Sequence, residues 1–350
     1  MDLMNLSGDE LWRWLRGTRW KPPKAATATQ KRADTYVFAL EQAEQMFRAA
    51  ATVGPATQPL LIFYGLSQAG RAIMAAAPVN GEQWMLAGHG ISQDHKTFDG
   101  PLADIAVTTH KPGNRGSFVR LSEALDSPIW VDAAIPLGDL WDCLPENRTS
   151  PLSGITQDRR TPLYVEDRDL HSDPHDLASV SVGPFPPWVA AGGSTEPLKK
   201  YMASFPGAEG FDHPWRGTWD QPEPDFAMHF DGWAEVTMHW QVPAGSDGSL
   251  ADRLAVVHGM TRPYGGARYL MPVVGGNAKG MHPLMVWWAV LHTLSMLARY
   301  QPAEWSQHID VDRSQHAVPL ESLLQKAIST LPCVIAYILD ELSGGELTSR

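Results

Sequence analysis

The sequence predicts an α+β fold, with a helical core formed by the N- and C-terminal helices and a β-rich, loop-rich middle segment. Apolar residues recur at helical spacing near both ends of the 350-residue chain, whereas in the middle they alternate with a period of two around turn signals. Apolar residues make up 43% of the chain and charged residues 19%, which excludes a disordered protein. We therefore divide the chain into an N-terminal helical part (1–80), a β-rich acidic middle (81–280) and a C-terminal helical part (281–350) that packs on the first.

Three helices are predicted in the N-terminal part. A short helix runs from Gly8 to Arg16. Asp34 is the predicted N-cap of the second helix, which carries apolar residues at helical spacing: Tyr36, Leu40, Ala43, Phe47 and Ala50. Pro59 suits the first turn of the third helix, and the run 60–77 is apolar nearly all round, so this helix is expected at the centre of the core.

Two long helices are predicted in the C-terminal part. Pro283 begins one that runs to about Tyr300, and Pro319 begins another. Because such apolar helices must bury their faces against other elements, residues 33–77 and 283–343 are expected to pack against one another.

The middle segment contains a first predicted hairpin. Residues alternate from Ile105 to Thr109 before a turn at 112–114, and Phe118 and Val119 follow the turn. Further strands are predicted at 180–182, 254–258 and 269–274, and a short helix at 136–144, while residues 145–226 are rich in loops.

A second hairpin is predicted to turn at Asp231-Gly232, a pair that is strongly favoured in two-residue hairpin turns. The period of two predicts that these side chains are buried: Phe226, Met228, Phe230, Ala234, Val236, Met238 and Trp240. The side chains of His229, Glu235, Thr237 and His239 are expected to be more exposed.

Charge is unevenly distributed along the chain. The net charge is −11, and residues 81–280 carry 26 acidic and 15 basic residues, so nucleic-acid binding through this segment is not expected. The first 32 residues are basic instead. Two interpretations of this run stay open: a solvated helix face with a linker, or an arm that contacts phosphate groups.

The composition and the N-terminus favour a cytoplasmic protein. Acidic residues interrupt the first twenty positions, which lack the apolar core of a signal peptide. The most apolar run, 281–298, contains His292 and is interpreted as a buried helix rather than a membrane span, so no membrane association is expected. The two cysteines, Cys143 and Cys333, exclude a disulfide scaffold and are interpreted as core residues.

Four segments together carry a resemblance to a known family: Leu61–Ala72, Gly88–Ile91, Leu137–Trp141 and Leu294–Trp305. In this order and spacing, the chain resembles the YaaC-like family of bacterial proteins over most of its length, and Leu294–Trp305 is the most specific segment. The resemblance implies a shared fold and a bacterial cytoplasmic setting. It brings no reaction, cofactor or catalytic residue with it.

His89 is the candidate catalytic residue. It lies between Gly88 and Gly90, and glycines allow a ligand to approach the backbone closely. A histidine in this setting can act as a general acid or base, or bind phosphate. The alternative is a tight turn in which the imidazole bonds to a backbone carbonyl.

Three further residues are candidates for ligand binding. Arg71 lies on an otherwise apolar helix and needs a counter-charge there. Arg299 ends the first C-terminal helix, where it either binds an anion or forms a structural ion pair with Glu304. Asp94 is close enough in sequence to orient an imidazole.

Two other patterns are interpreted as structural. Possible metal ligands fall within six residues: His171, Asp173, His175 and Asp176. Pro174 disfavours the helix that would align the two histidines, so a polar loop is predicted and no metal. Arg253 and His258 have the spacing found in helical ribonucleases of the HEPN type, but the β-prone residues between them predict a strand, with the two side chains on opposite sides. No cofactor motif is present, so no cofactor is expected.

Two functional hypotheses follow. The first is a non-catalytic protein that binds a protein partner or a small anionic ligand. The second is a hydrolase or transferase that acts on a phosphorylated or nucleic-acid substrate, with His89 as acid or base and Arg71 or Arg299 holding the anion. The two differ in geometry, because the enzyme requires His89 and an arginine to converge on one cleft.

Overall fold

The computed structural model describes residues 3, 6–154, 156–166, 170, 176–191, 195–206, 224 and 226–348. The helices are α1 (Gly8–Trp20), α2 (Gln30–Ala50), α3 (Gln58–Ala76), α4 (Ser117–Ala124), α5 (Leu137–Asp142), α6 (Pro187–Ala190), α7 (Glu196–Met202), α8 (Leu250–Met260), α9 (Pro283–Tyr300), α10 (Pro302–His308) and α11 (Ala317–Leu342). The strands are β1 (Ile91–Gln93), β2 (Ala106–Thr109), β3 (Ile135–Pro136), β4 (Leu163–Glu166), β5 (Leu177–Phe185), β6 (Phe226–Met228), β7 (Ala234–Gln241), β8 (Arg262–Tyr264) and β9 (Ala267–Leu270). The predicted α+β class is confirmed.

The chain divides into two compact units. The helical unit comprises Met1–Gly154 with His282–Arg350, and the sheet unit comprises Ile155–Met281. Residues 81–154, which the charge pattern groups with the middle part, lie in the helical unit because α4 packs on α3 and α9, and α5 packs on α9. The division into 1–80, 81–280 and 281–350 stays a prediction.

The helical unit is built around α3 and α9. The expected packing between N- and C-terminal helices is confirmed, since α3 lies against α2, α9 and α11. The side chains of α9 are buried from Pro283 to Ala298, as its nearly all-round apolar sequence requires. The N-cap of α2 is Thr29, five residues before the expected Asp34, because the Thr29 side chain accepts the Arg32 N–H and caps the helix there.

A small antiparallel sheet in the order β1-β2-β3 belongs to the helical unit. The hairpin predicted around residues 112–114 is wrong: β2 pairs with β1 and β3, and Phe118 and Val119 lie on α4. The apolar side chains of α4 are buried against α3 and α9, among them Phe118, Val119 and Leu121. A short apolar run with this spacing is compatible with a helix or with a strand, which explains the wrong prediction. The short helix expected at 136–144 is present as α5.

The sheet unit holds an antiparallel sheet in the order β6-β7-β5-β4-β9-β8. The hairpin at Asp231-Gly232 is confirmed as β6 and β7. Its predicted burial is right for β7, whose inward residues from Ala234 to Trp240 are at most 4% exposed. It is wrong for Met228 on the edge strand β6, which is 59% exposed, and for Phe230 in the turn, which is fully exposed, whereas Phe226 is partly buried against the core of the unit.

Three other strands are predicted in the sheet unit, with different success. The strand at 180–182 lies within β5, and the one at 269–274 overlaps the end of β9. The strand at 254–258 is wrong, because these residues lie on α8. Ser249 caps that helix: its hydroxyl accepts the Asp252 N–H while the Asp252 carboxylate accepts the Ser249 N–H, and this local signal overrides the β-prone run.

Within the described part of the chain, α11 is the one helix whose length and composition would suffice to cross a membrane. Of the most apolar 18-residue stretch of this helix, 56% is buried inside the protein, as in the core helix of a folded domain. The length and composition of α11 are therefore weak evidence for a membrane span.

Candidate functional site

The loop that carries His89 is fixed to the start of α4. The Ser117 and Phe118 N–H groups, which lack partners within α4, donate to the carbonyls of Gly88 and His89 at 3.0 and 2.8 Å. Gly90 has a φ of +73° and packs so closely on Gly116 that a Cβ would lie 2.9 Å from its Cα. The backbone contacts therefore hold the histidine in place without using its side chain.

The His89 imidazole is exposed and has no hydrogen bond among the described residues. Its ring lies 5.8 Å from that of Phe63 and 5.0 Å from that of His292, measured between centroids. The exposed ring therefore differs from the alternative interpretation, in which a buried imidazole bonds to a backbone carbonyl. Partial burial lowers the pKa of His89, and the charges of Arg299 and Arg71 lower it further, so the ring is neutral at pH 7.

The two candidate arginines both act on His89 through their charge, although they lie 228 positions apart in sequence. Arg71, half-buried on α3, donates from Nη1 to the Leu86 carbonyl at 3.5 Å. Arg299, exposed in the last turn of α9, donates from Nη1 to the Tyr64 hydroxyl at 2.8 Å. Neither guanidinium forms an ion pair within the described ranges, so the structural pair with Glu304 is not formed there.

Asp94, the third candidate ligand residue, has a local structural role. Its carboxylate accepts the Lys96 N–H at 3.1 Å and caps the 3₁₀ turn at 95–97. No contact with His89 is found among the described residues. The neighbouring His95 instead packs its ring against Phe98 and the half-exposed Tyr300, at 5.0 and 5.9 Å.

Sequence reasoning missed His292 and Gln93 as parts of this site. His292 is 2% exposed on α9, and its Nδ1 lies 2.8 Å from Nε2 of Gln93 on β1. Burial, with a smaller effect of the His89 charge, lowers the pKa of His292 to about 3. The one sequence signal was a histidine in an otherwise apolar helix, which periodicity alone interprets as a core position.

The other candidate motifs do not add to this site. No group of three possible metal ligands occurs among the residues the structure describes, and of the four residues from His171 to Asp176 only Asp176 is among them. Arg253 and His258 lie on α8 rather than on a strand; Arg253 is buried and His258 exposed. Burial raises the pKa of the Cys143 thiol, which opposes a nucleophilic role at neutral pH.

The assembled site thus combines two cations, two neutral imidazoles and the Tyr64 hydroxyl, without an ion-paired carboxylate among the described residues. In the comparison with known proteins, a family model described as YaaC-like Protein fits residues 13–339, a range that includes every residue of the site. No curated protein and no solved structure matches the chain.

Proposed function

The chain belongs to the YaaC-like family, and we propose that it is a bacterial cytosolic binding protein for a small anionic ligand, held where α3 and α9 meet. The observation that carries this proposal is that Arg71 and Arg299, which have no carboxylate partner in the described part of the chain, both lower the pKa of His89 through their charge. The other expectation, a protein partner, stays a prediction.

Charge supports an anion at this position. Two guanidinium groups that both act on one imidazole repel each other, and a half-buried cation such as Arg71 has lost part of its hydration. An anion between them offsets both effects. Guanidinium groups also bind carboxylate and phosphate through two parallel hydrogen bonds, which selects oxyanions over other anions.

The Tyr64 hydroxyl contributes a further donor. Its oxygen accepts from Arg299, so its own proton is available to a ligand. Tyr64 and Arg71 lie seven residues apart on α3, which places them two turns apart on the same side of the helix. The ligand groups therefore come from two helices of the core rather than from a flexible arm.

The enzymatic alternative rests on the lowered pKa of His89. A general base must be unprotonated at the working pH, and burial together with two arginines keeps His89 neutral. A hydrolase or transferase acting on a phosphorylated or nucleic-acid substrate would use this imidazole while the arginines hold the anion. Release of phosphate from a simple phosphomonoester by the full chain, and its loss in His89→Ala, would favour this alternative over binding alone.

Calorimetric titration of the full chain with inorganic phosphate and with acetate tests the binding proposal. Arg299→Gln should weaken oxyanion binding about 10-fold or more, because a hydrogen bond to a charged group is lost. Arg16→Gln is the matched control: Arg16 is half-exposed in the same unit but pairs with Glu44, and its loss should leave binding unchanged. Equal effects of the two variants, or no oxyanion binding by the wild type, would contradict the proposal.

A further inference from the structure

A buried imidazole nitrogen without an acceptor lies next to the exposed His89. The His292 side chain is 98% buried, and its Nε2 has no hydrogen-bond partner among the described residues. The ring lies 5.0 Å from the ring of His89 and 4.9 Å from that of Phe63, which meets it edge-on. Other buried polar atoms also lack partners, Trp288 Nε1 among them, but His292 adjoins the site where two arginines act.

Neighbouring hydrogen bonds fix which nitrogen of His292 carries the proton. The Thr293 hydroxyl donates to the Ala289 carbonyl at 2.9 Å, so its oxygen can only accept from Gln93, at 3.0 Å. The Gln93 group that faces it is therefore the NH₂, whose second hydrogen goes to His292 Nδ1. His292 Nδ1 is thus an acceptor, and the proton of the neutral ring is on Nε2.

His292 therefore presents a fixed, neutral N–H donor. Its pKa of about 3 keeps the ring neutral at any physiological pH, so the number of N–H donors on the ring does not change with pH. A buried N–H without an acceptor costs free energy, and folded proteins rarely leave one unused. An acceptor atom supplied from outside the chain, a ligand oxygen or a water, satisfies it.

We propose that His292 Nε2–H donates to an oxygen of the anionic ligand, and that the ligand group is a phosphate. This inference rests on the binding site proposed above. A phosphate carries a charge of about −1.5 to −2 at pH 7 and three strong acceptor oxygens, which matches two guanidinium groups and the separate donors of Tyr64 and His292. A carboxylate has one charge and two oxygens, and it would leave part of this donor set unused.

The direct test observes the donor itself. In the full chain with ¹⁵N-labelled histidine, His292 should show the tautomer protonated on Nε2, and addition of inorganic phosphate should shift that Nε2–H resonance. A resonance that does not respond to saturating phosphate would overturn the inference and assign the acceptor to a bound water. Because this measurement uses the wild type, it does not depend on how any variant folds.

Affinity measurements with matched variants complete the test. His292→Phe keeps an aromatic ring but removes the donor, and it should weaken phosphate binding about 10-fold or more. The control is His308→Phe, a partly buried histidine in the same unit with a lowered pKa, which should bind as the wild type does. Unchanged affinity in His292→Phe would overturn the inference.

The probes separate this inference from the function on which it rests. Inorganic phosphate and glycerol 3-phosphate distinguish the free anion from a phosphomonoester, and acetate tests the carboxylate class. Acetate binding as tight as phosphate would overturn the phosphate assignment. If Arg299→Gln loses phosphate binding and His292→Phe does not, the anion site is supported and the role of His292 is rejected. No binding of any probe would reject both.

Discussion

Two regions of the helical unit each contain arginines, and the two regions differ in whether those arginines form ion pairs. Along the edge formed by α1 and α2, Arg19 pairs with Glu41 at 2.7 Å, and Glu44 pairs with both Arg16 and Arg48, at 3.5 and 2.8 Å. At the junction of α3 and α9, Arg71 and Arg299 have no ion pair among the described residues and act on His89 instead.

The comparison shows that a basic run in sequence is a poor guide to available positive charge. The N-terminal run is conspicuous because its residues are close in sequence, yet acidic residues of α2 neutralise part of it. This favours the solvated helix face over the phosphate-contacting arm. The arginines of the α3–α9 junction are isolated in sequence, and their positions become informative only once the two helices pack together.

The two regions also differ in packing, and glycine substitutions should show this most strongly. At Gly70 on α3, a Cβ would lie 2.7 Å from Trp288 and 2.8 Å from Leu121, whereas Gly17 on α1 has open space. Gly70→Ala should lower the free energy of unfolding by about 1–3 kcal/mol through overpacking. Gly17→Ala should raise it by about 0.5–1 kcal/mol through helix propensity. Urea unfolding measures both, and equal changes would mean that the junction is not tightly packed.

The buried histidine of the junction should make stability depend on pH. The unfolded chain has a His292 pKa near 6.5 and the folded chain one of about 3, so between these values the unfolded state binds a proton that the native state does not. The stability contributed by neutral His292 is complete above pH 6.5 and is lost as the pH falls, by up to about 1.4 kcal/mol per pH unit.

His292→Phe removes this titration while leaving the other histidines of lowered pKa, His89, His308 and His316, in place. Between pH 7 and pH 4.5, the wild type should therefore lose more unfolding free energy than the variant does. Parallel curves would contradict the burial of a neutral imidazole at this position.

Removing the shared carboxylate of the α1–α2 edge should have a smaller effect. Glu44→Gln leaves Arg16 and Arg48 without this partner, but both are about half-exposed and remain hydrated, so the expected loss is about 1 kcal/mol or less. The difference from the wild type should shrink at high salt, because salt screens exposed charges. Glu321→Gln, on an exposed position of α11, serves as the control and should change little. A loss that salt does not alter would indicate packing rather than charge.

The smallest effect on stability is expected at His89. Its ring is exposed and has no hydrogen bond among the described residues, so His89→Ala should change the unfolding free energy by less than about 0.5 kcal/mol. Phosphate binding should nevertheless weaken, since the charges of both arginines act on this ring and the ring lies beside that of His292. Thermal unfolding beside a phosphate titration checks both points. A clear drop in Tm with unchanged binding would make His89 a structural residue.

Local signals in the sequence predict much of the secondary structure, and short segments identify the family. Helical spacing located α2, α3, α9 and α11, and the Asp231-Gly232 pair located the hairpin of the sheet unit, because these signals lie within a few residues of the elements they specify. The family resemblance was also readable from short segments and agrees with the match over residues 13–339.

Which side chains meet depends instead on how distant segments pack. Packing on α3 and α9 accounts for Phe118 on α4, where it overrides an ambiguous apolar pattern, whereas the helix at 254–258 follows from a local capping box in the sequence itself. The folded structure also places His89 where the charges of Arg71 and Arg299 act on it, and it revealed His292 and Gln93, which no local signal had marked. Periodicity fixes the face of each helix, but the partner of that face depends on packing between segments 200 residues apart, as the contact from Gln93 to Thr293 shows.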